Sequence, residues 1–140
     1  MDGLFEADVD YLAVVLGALA AQVLGFLWYG KLFYKPWVAA RALDPSEGEN
    51  PGPVIYVVPL ICALLIAYTL ARLADMTGAG DIGEGIALGA FVWVGFAGTV
   101  QLMQINFSEA KVKRVPTFAI EGGFQLATFV IMGAIIGCFQ

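Results

Sequence analysis

The sequence contains no histidine, and only 14% of its 140 residues are charged, 7 bases against 12 acids. The missing histidine removes the commonest general base and the commonest metal ligand. A net charge of -5 argues against nucleic acid as a partner, because phosphate binding takes clustered positive charge. Ser46 and Ser108 are the only serines, and with no histidine and no second intramembrane carboxylate to pair with Glu121 the chain reads as no enzyme. The two cysteines, Cys62 and Cys138, have neither the spacing nor the depth of a disulfide or metal site and are expected to be small buried hydrophobes. Without histidine, haem or zinc would lack ligands, and no cofactor is expected.

What fills the chain instead is apolar. Hydrophobic residues make up 60% and the mean hydropathy is +0.82, against roughly 45–50% apolar in soluble domains. A bilayer crossing takes about 20 mostly apolar residues at 1.5 Å rise. Four stretches qualify, at about 9–30, 54–74, 85–107 and 117–139. Their continuous apolar character, without period-two alternation, predicts helices and not barrel strands. The expected fold is all-α, one polytopic domain with a bundle of four transmembrane helices. Lys31, Lys35 and Arg41 in the first loop and Lys111, Lys113 and Arg114 in the third stand against Arg72 alone on the other side. Basic residues stay cytoplasmic, which predicts loops 31–53 and 108–116 inside, both termini outside, and residence in the cytoplasmic membrane. Asp2, Glu6, Asp8 and Asp10 precede the first apolar run with no base among them, so that run reads as a retained span, not a cleaved signal peptide.

Trp28, Tyr29 and Trp37 interleave with Lys31 and Lys35, the pattern of interfacial anchors in which rings sit at headgroup level and lysines snorkel. A short interfacial helix is expected from near Pro36, followed by the acidic, turn-rich linker Asp44 to Pro53. Gly78-Ala79-Gly80-Asp81-Ile82-Gly83 matches the dinucleotide fingerprint GxGxxG literally. That motif requires a preceding strand and a ribose-binding acid about 20 residues on, and neither is present. It reads as a flexible outer turn.

Lipid tails are as apolar as leucine, so membrane helices associate through close backbone approach and interhelical hydrogen bonds. Small residues at four-residue spacing mark candidate surfaces for that approach: Ala13, Gly17, Ala21 and Gly25 on the first helix, Gly85 and Gly89 on the third, Gly133 and Gly137 on the fourth. These stripes could join helices of one chain or of several. Leu16-Gly17-Ala18 recurs as Leu88-Gly89-Ala90, which suggests two parallel helical hairpins.

Polar groups in the spans are few. Glu121, Gln125 and Thr128 share one face of the fourth helix at i, i+4 and i+7, and Gln101, Gln104 and Ser108 share one face of the third. Gln22 completes a candidate cluster in the cytoplasmic half. An acid inside a span is costly and faces protein or water, with Lys111, Lys113 or Arg114 as its expected neighbours. Three readings stay open: a proton- or cation-responsive lining of a polar cavity, a hydrogen-bonded clasp between helices three and four, or an acid reaching the headgroup layer.

Leu24-Gly25-Phe26-Leu27-Trp28-Tyr29-Gly30, followed by Leu32-Phe33 and Trp37, with the closing Met132-Gly133-Ala134-Ile135-Ile136, resembles the small four-helix membrane proteins grouped as domain of unknown function 1761. The likeness covers nearly the whole chain. It implies a four-helix membrane topology and no particular activity; Lys31 and Glu121 depart from its pattern of a proline and an uncharged polar residue. Together these readings predict a non-enzymatic accessory or scaffold subunit, surrounded by membrane lipids and joined in a homo-oligomer or larger complex. The alternative is a permeation element for a small solute, proton or cation, built on the polar cluster. Sidedness is open to direct measurement: a cysteine introduced at Ser46, in a chain lacking Cys62 and Cys138, should react with impermeant maleimide only from the cytoplasmic side. Labelling from outside would invert the topology.

Overall fold

A computed structural model describes residues 9–43 and 53–140. Asp2, Glu6, Asp8 and the linker from Asp44 to Gly52, with the Ser46 labelling position, lie outside the described residues. The described chain is all-α, with α1 at Tyr11–Leu32, α2 at Tyr34–Arg41, α3 at Val54–Thr77, α4 at Ile82–Asn106 and α5 at Arg114–Cys138. All except α2 are long and apolar enough to cross a bilayer. Single π turns, Trp28–Leu32 in α1 and Trp93–Ala97 in α4, each insert one extra residue into an otherwise regular helix.

Local chemistry sets the helix ends. Asp10 caps α1 by accepting from the Leu12 amide at 3.0 Å. Gly78 ends α3 in the left-handed region at φ 74°, where a Cβ would be strained. Three residues later Asp81, the N-cap of α4, accepts from the Glu84 amide at 2.8 Å while Glu84 accepts from the Gly80 amide at 2.8 Å, a capping-box arrangement displaced by one residue, since the carboxylate takes the amide before the N-cap. The GxGxxG segment is therefore a turn that joins a helix stop to a helix start and is closed by its own hydrogen bonds.

α5 is the centre of the bundle. It touches each of the other four helices, most extensively the first half of α4, while α1 packs on both α3 and α5. The small residues explain how. A Cβ at Gly85 would run into the Gly133 carbonyl, and one at Gly133 into the Gly85 carbonyl. Gly89 meets the Phe129 carbonyl and Gly137 the Asp81 carbonyl in the same way. Each glycine's bare Cα face thus lies against a carbonyl of the opposing helix, an approach that suits weak Cα–H···O contacts and dense packing. On α1, Ala13, Gly17 and Ala21 are buried; Gly17 faces Ala67 and Met132, and Gly25 faces the Phe124 ring.

Either helices or whole chains could have met at these stripes, and here all three meet partners within one chain. The faces turned outward are large and apolar: Phe91 and Phe96 on α4 and Phe107 just beyond its end are 76%, 71% and 85% exposed. Leu16-Gly17-Ala18 and Leu88-Gly89-Ala90 both set their glycine against α5. The cysteines depart from expectation, since Cys62 and Cys138 are both exposed. The buried stripe of α3 is Ala63, Ala67, Leu70, Ala71 and Ala74, and Cys62 falls about 100° off it.

Adding one methyl group at Gly133 should therefore lower the unfolding free energy by about 1–3 kcal/mol. The same change at Gly95, where nothing lies within 4 Å, should leave stability unchanged or raise it by up to about 1 kcal/mol. Circular dichroism during detergent-induced unfolding of Gly133→Ala and Gly95→Ala measures the difference; equal curves would refute the backbone contact.

Candidate functional site: a polar chain at the basic end

The end of the bundle that carries α2, Lys111, Lys113 and Arg114 also gathers the polar residues. α2 is held there by its backbone: the Lys113 amide donates to the Ala40 carbonyl at 2.8 Å, with Ala40 and Val112 buried between the segments. Ala42 ends the helix at φ 54°. This docking aims Arg41 at α5. Its Nε donates to Glu121 Oε2 at 2.5 Å and its Nη2 to Glu121 Oε1 at 2.6 Å, the two-pronged geometry in which guanidinium and carboxylate match best. Hydrogen bonding to Glu121 holds the Arg41 guanidinium above its ordinary range.

The pair continues inward. Gln101 Nε2 donates to Glu121 Oε1 at 3.2 Å, and Gln125 Nε2 donates to Gln101 Oε1 at 2.8 Å. Gln101 can do this because of the π turn in α4. It stands 12 residues beyond Gly89, which in a regular helix would turn it about 120° away from the face that Gly89 presents to α5. The extra residue in Trp93–Ala97 takes back about 100° of that. Gly98, Gln101 and Ile105 then follow at three- and four-residue steps.

The structure thus brings Glu121, Gln125 and Gln101 into one chain of hydrogen bonds and leaves the other two proposed members out of it. Gln104 is exposed, flanking Ile105, which takes the contact with α5. Gln22 faces α3 instead, where Nε2 donates to the Tyr56 carbonyl at 3.2 Å. The acid's cationic partner is also corrected. Lys111 pairs with Glu109 at 3.4 Å, Arg114 donates to the carbonyls of Asn106 and Ser108 at the end of α4, and Lys113 contributes its backbone. Arg41, counted in the sequence only as a topology signal, is the missed residue. Its phase was the available clue, since Trp37, Ala40 and Arg41 share one face of a short helix.

The aromatic belt folds inward as well. Trp28 Nε1 donates to the Ile120 carbonyl at 2.9 Å, and Tyr29 sits edge-on to both Trp37 and Phe124, with ring centroids 5.0 and 5.2 Å apart. Lys31 and Lys35 are exposed. Behind these rings a groove of about 770 Å³ runs between α1, α2 and α3. A smaller cavity of about 180 Å³, bounded by Gln125, Thr128 and Phe129 of α5, adjoins it.

A family described as a protein of unknown function, DUF1761, matches the chain over residues 12–137. No curated protein and no solved structure matches it.

With side-chain exposures of 30% for Arg41 and 15% for Glu121, removing either partner strands a shielded charge. Arg41→Met and Glu121→Met should each cost about 1–3 kcal/mol of stability. The double variant should recover most of that loss, because an apolar pair of similar volume leaves nothing unpaired. Thermal unfolding of the four proteins completes the cycle, and additive losses would show that the pair is not coupled.

Proposed function

As the chain belongs to the DUF1761 family, whose description carries no activity, we propose its role from geometry: a non-enzymatic integral membrane protein that acts as an accessory or packing subunit, and not as a conduit. The observation that carries this is where the polar chain stops. From Arg41 it passes through Glu121 and Gln101 to Gln125. Thr128 lies about 16 Å in from Thr117, near the midplane of a ~30 Å core. Beyond it the interior is Phe129, Met132 and Ile136, the last two 0% and 1% exposed, and the glycine-to-carbonyl contacts of α4 with α5. Polar groups thus reach halfway and meet dense apolar packing.

Glu121, already neutralised by Arg41, suits a clasp that fixes α2, α4 and α5 relative to one another. The outward aromatic faces of α4 are the surfaces available to other chains or to lipid in a homo-oligomer or larger complex. The basic loops support a topology with both termini outside and loops 31–53 and 108–116 facing the cytoplasm. A second reading, permeation of a proton, cation or small solute, draws on one specific feature: Gln125 Oε1 and Thr128 Oγ1 are buried with no hydrogen-bond partner among the described residues.

Reconstituted liposomes separate the two. Proton and potassium fluxes through wild type and Glu121→Gln should both equal those of protein-free vesicles. A flux that depends on Glu121 would overturn the accessory reading.

A further inference from the structure

The same two orphaned atoms point to a ligand. Burying a hydroxyl or carboxamide oxygen without a partner costs roughly 1–3 kcal/mol, and such groups in native proteins are almost always satisfied. Thr128 is only 7% exposed, its Oγ1 and Gln125 Oε1 are both unpartnered, and both residues border the 180 Å³ cavity. They are three residues apart on α5, on one side of the helix. Both oxygens are shielded in the structure; once the two side chains turn toward the cavity, one hydroxyl group would satisfy both, donating to the Gln125 oxygen and accepting from the Thr128 hydroxyl.

The rest of the space describes what carries that hydroxyl. At about 180 Å³ the cavity is close in size to the ~150 Å³ apolar cavity that takes up benzene, room for a head of one ring, with Phe124 and Phe129 among its walls. Among the described residues neither lining includes a charged side chain, which suits a neutral head. Ala21, Gln22, Pro59 and Phe124 border the cavity and the 770 Å³ groove alike, so the two adjoin along these shared walls. The groove's wall includes Phe26, Tyr29, Ile55 and Tyr56, and Phe26, Ile55 and Tyr56 are half or more exposed, so it opens sideways between α1 and α3 where lipid tails lie. Pro59 has no N–H for the Ile55 carbonyl, and Trp37 Nε1 is buried and unpartnered at the groove, so polar groups are also spare along the tail's path.

We infer that the space between α1, α3 and α5 is a binding site for a neutral lipid with a ring-sized, hydroxyl-bearing head. The hydroxyl is held by Gln125 and Thr128, and the apolar tail leaves through the aromatic groove. The site does not depend on the accessory role, since a packing subunit and a permeation element could equally hold such a lipid.

The test uses the full chain in detergent micelles and 4-decylphenol as probe, with its methyl ether, 4-decylanisole, and hexadecan-1-ol as comparisons. 4-Decylphenol should bind saturably by native mass spectrometry and raise the melting temperature. The ether and the chain alcohol should bind at least tenfold more weakly. Thr128→Val keeps the shape and removes an unpartnered hydroxyl, so the unliganded variant should melt at or above the wild-type temperature while losing at least tenfold in affinity. Cys62 borders the cavity and Cys138 does not, so the probe should slow N-ethylmaleimide alkylation of Cys62 at least threefold and leave Cys138 unchanged. Equal binding of phenol and ether, or full affinity in Thr128→Val, overturns the hydroxyl assignment; equal binding of hexadecan-1-ol overturns the ring. Unprotected Cys62 overturns the location.

Discussion

The backbone contact between α4 and α5 is the constraint on which the rest of the molecule depends. Where Gly85 meets Gly133 and Gly89 meets the Phe129 carbonyl, the two helices approach until no side chain separates them. Inside a bilayer, hydrophobicity does not drive helices together, so this contact area and its dispersion energy must hold α4, which packs chiefly on α5. It also sets the register. With Gly85 opposite Gly133 at one end, Gln101 falls opposite Glu121 and Gln125 at the other, provided the π turn restores its phase.

The polar chain is a consequence of that register and of a second requirement, that a carboxylate among apolar helices must be paired. Arg41 meets it from a helix that does not cross the membrane. α2 is held by one backbone hydrogen bond, two buried aliphatic residues and the ion pair itself, so the loop between α1 and α3 is tied to the centre of the bundle. The acid that looked like a functional oddity becomes the point where α2, α4 and α5 are joined. Thr117 Oγ1 and Trp37 Nε1 near its charged end and Gln125 Oε1 and Thr128 Oγ1 at its inner end are left without a partner among the described residues, and the last two belong to residues that border a cavity.

Much of this was legible beforehand. Four helices, the helical start near Pro36, the small-residue stripes and the grouping of Glu121 with Gln101 and Gln125 all follow from hydropathy and from 3.6-residue periodicity. The failures share a cause. Arg41 lies 80 residues from Glu121, so no local pattern could prefer it to Lys111, Lys113 or Arg114, which are nearer in the chain; of these Lys111 and Arg114 bond elsewhere. Gln104 seemed to share the face of Gln101, and Cys62 seemed buried, because periodicity gives the angle between residues and not which angle points at a neighbour.

By itself the sequence determined the membrane class, the number of spans, the basic and acidic ends and the absence of histidine chemistry. These are sums over residue types, or repeats along one helix, and they hold whatever the helices touch. Only the tertiary structure decided that the glycine stripes serve one chain, that Arg41 neutralises Glu121, and that Thr128 and Gln125 border an open space beneath a ring-lined groove. Each of those depends on distances between helices far apart in sequence, and on the one-residue phase shift of a π turn that composition and periodicity do not encode.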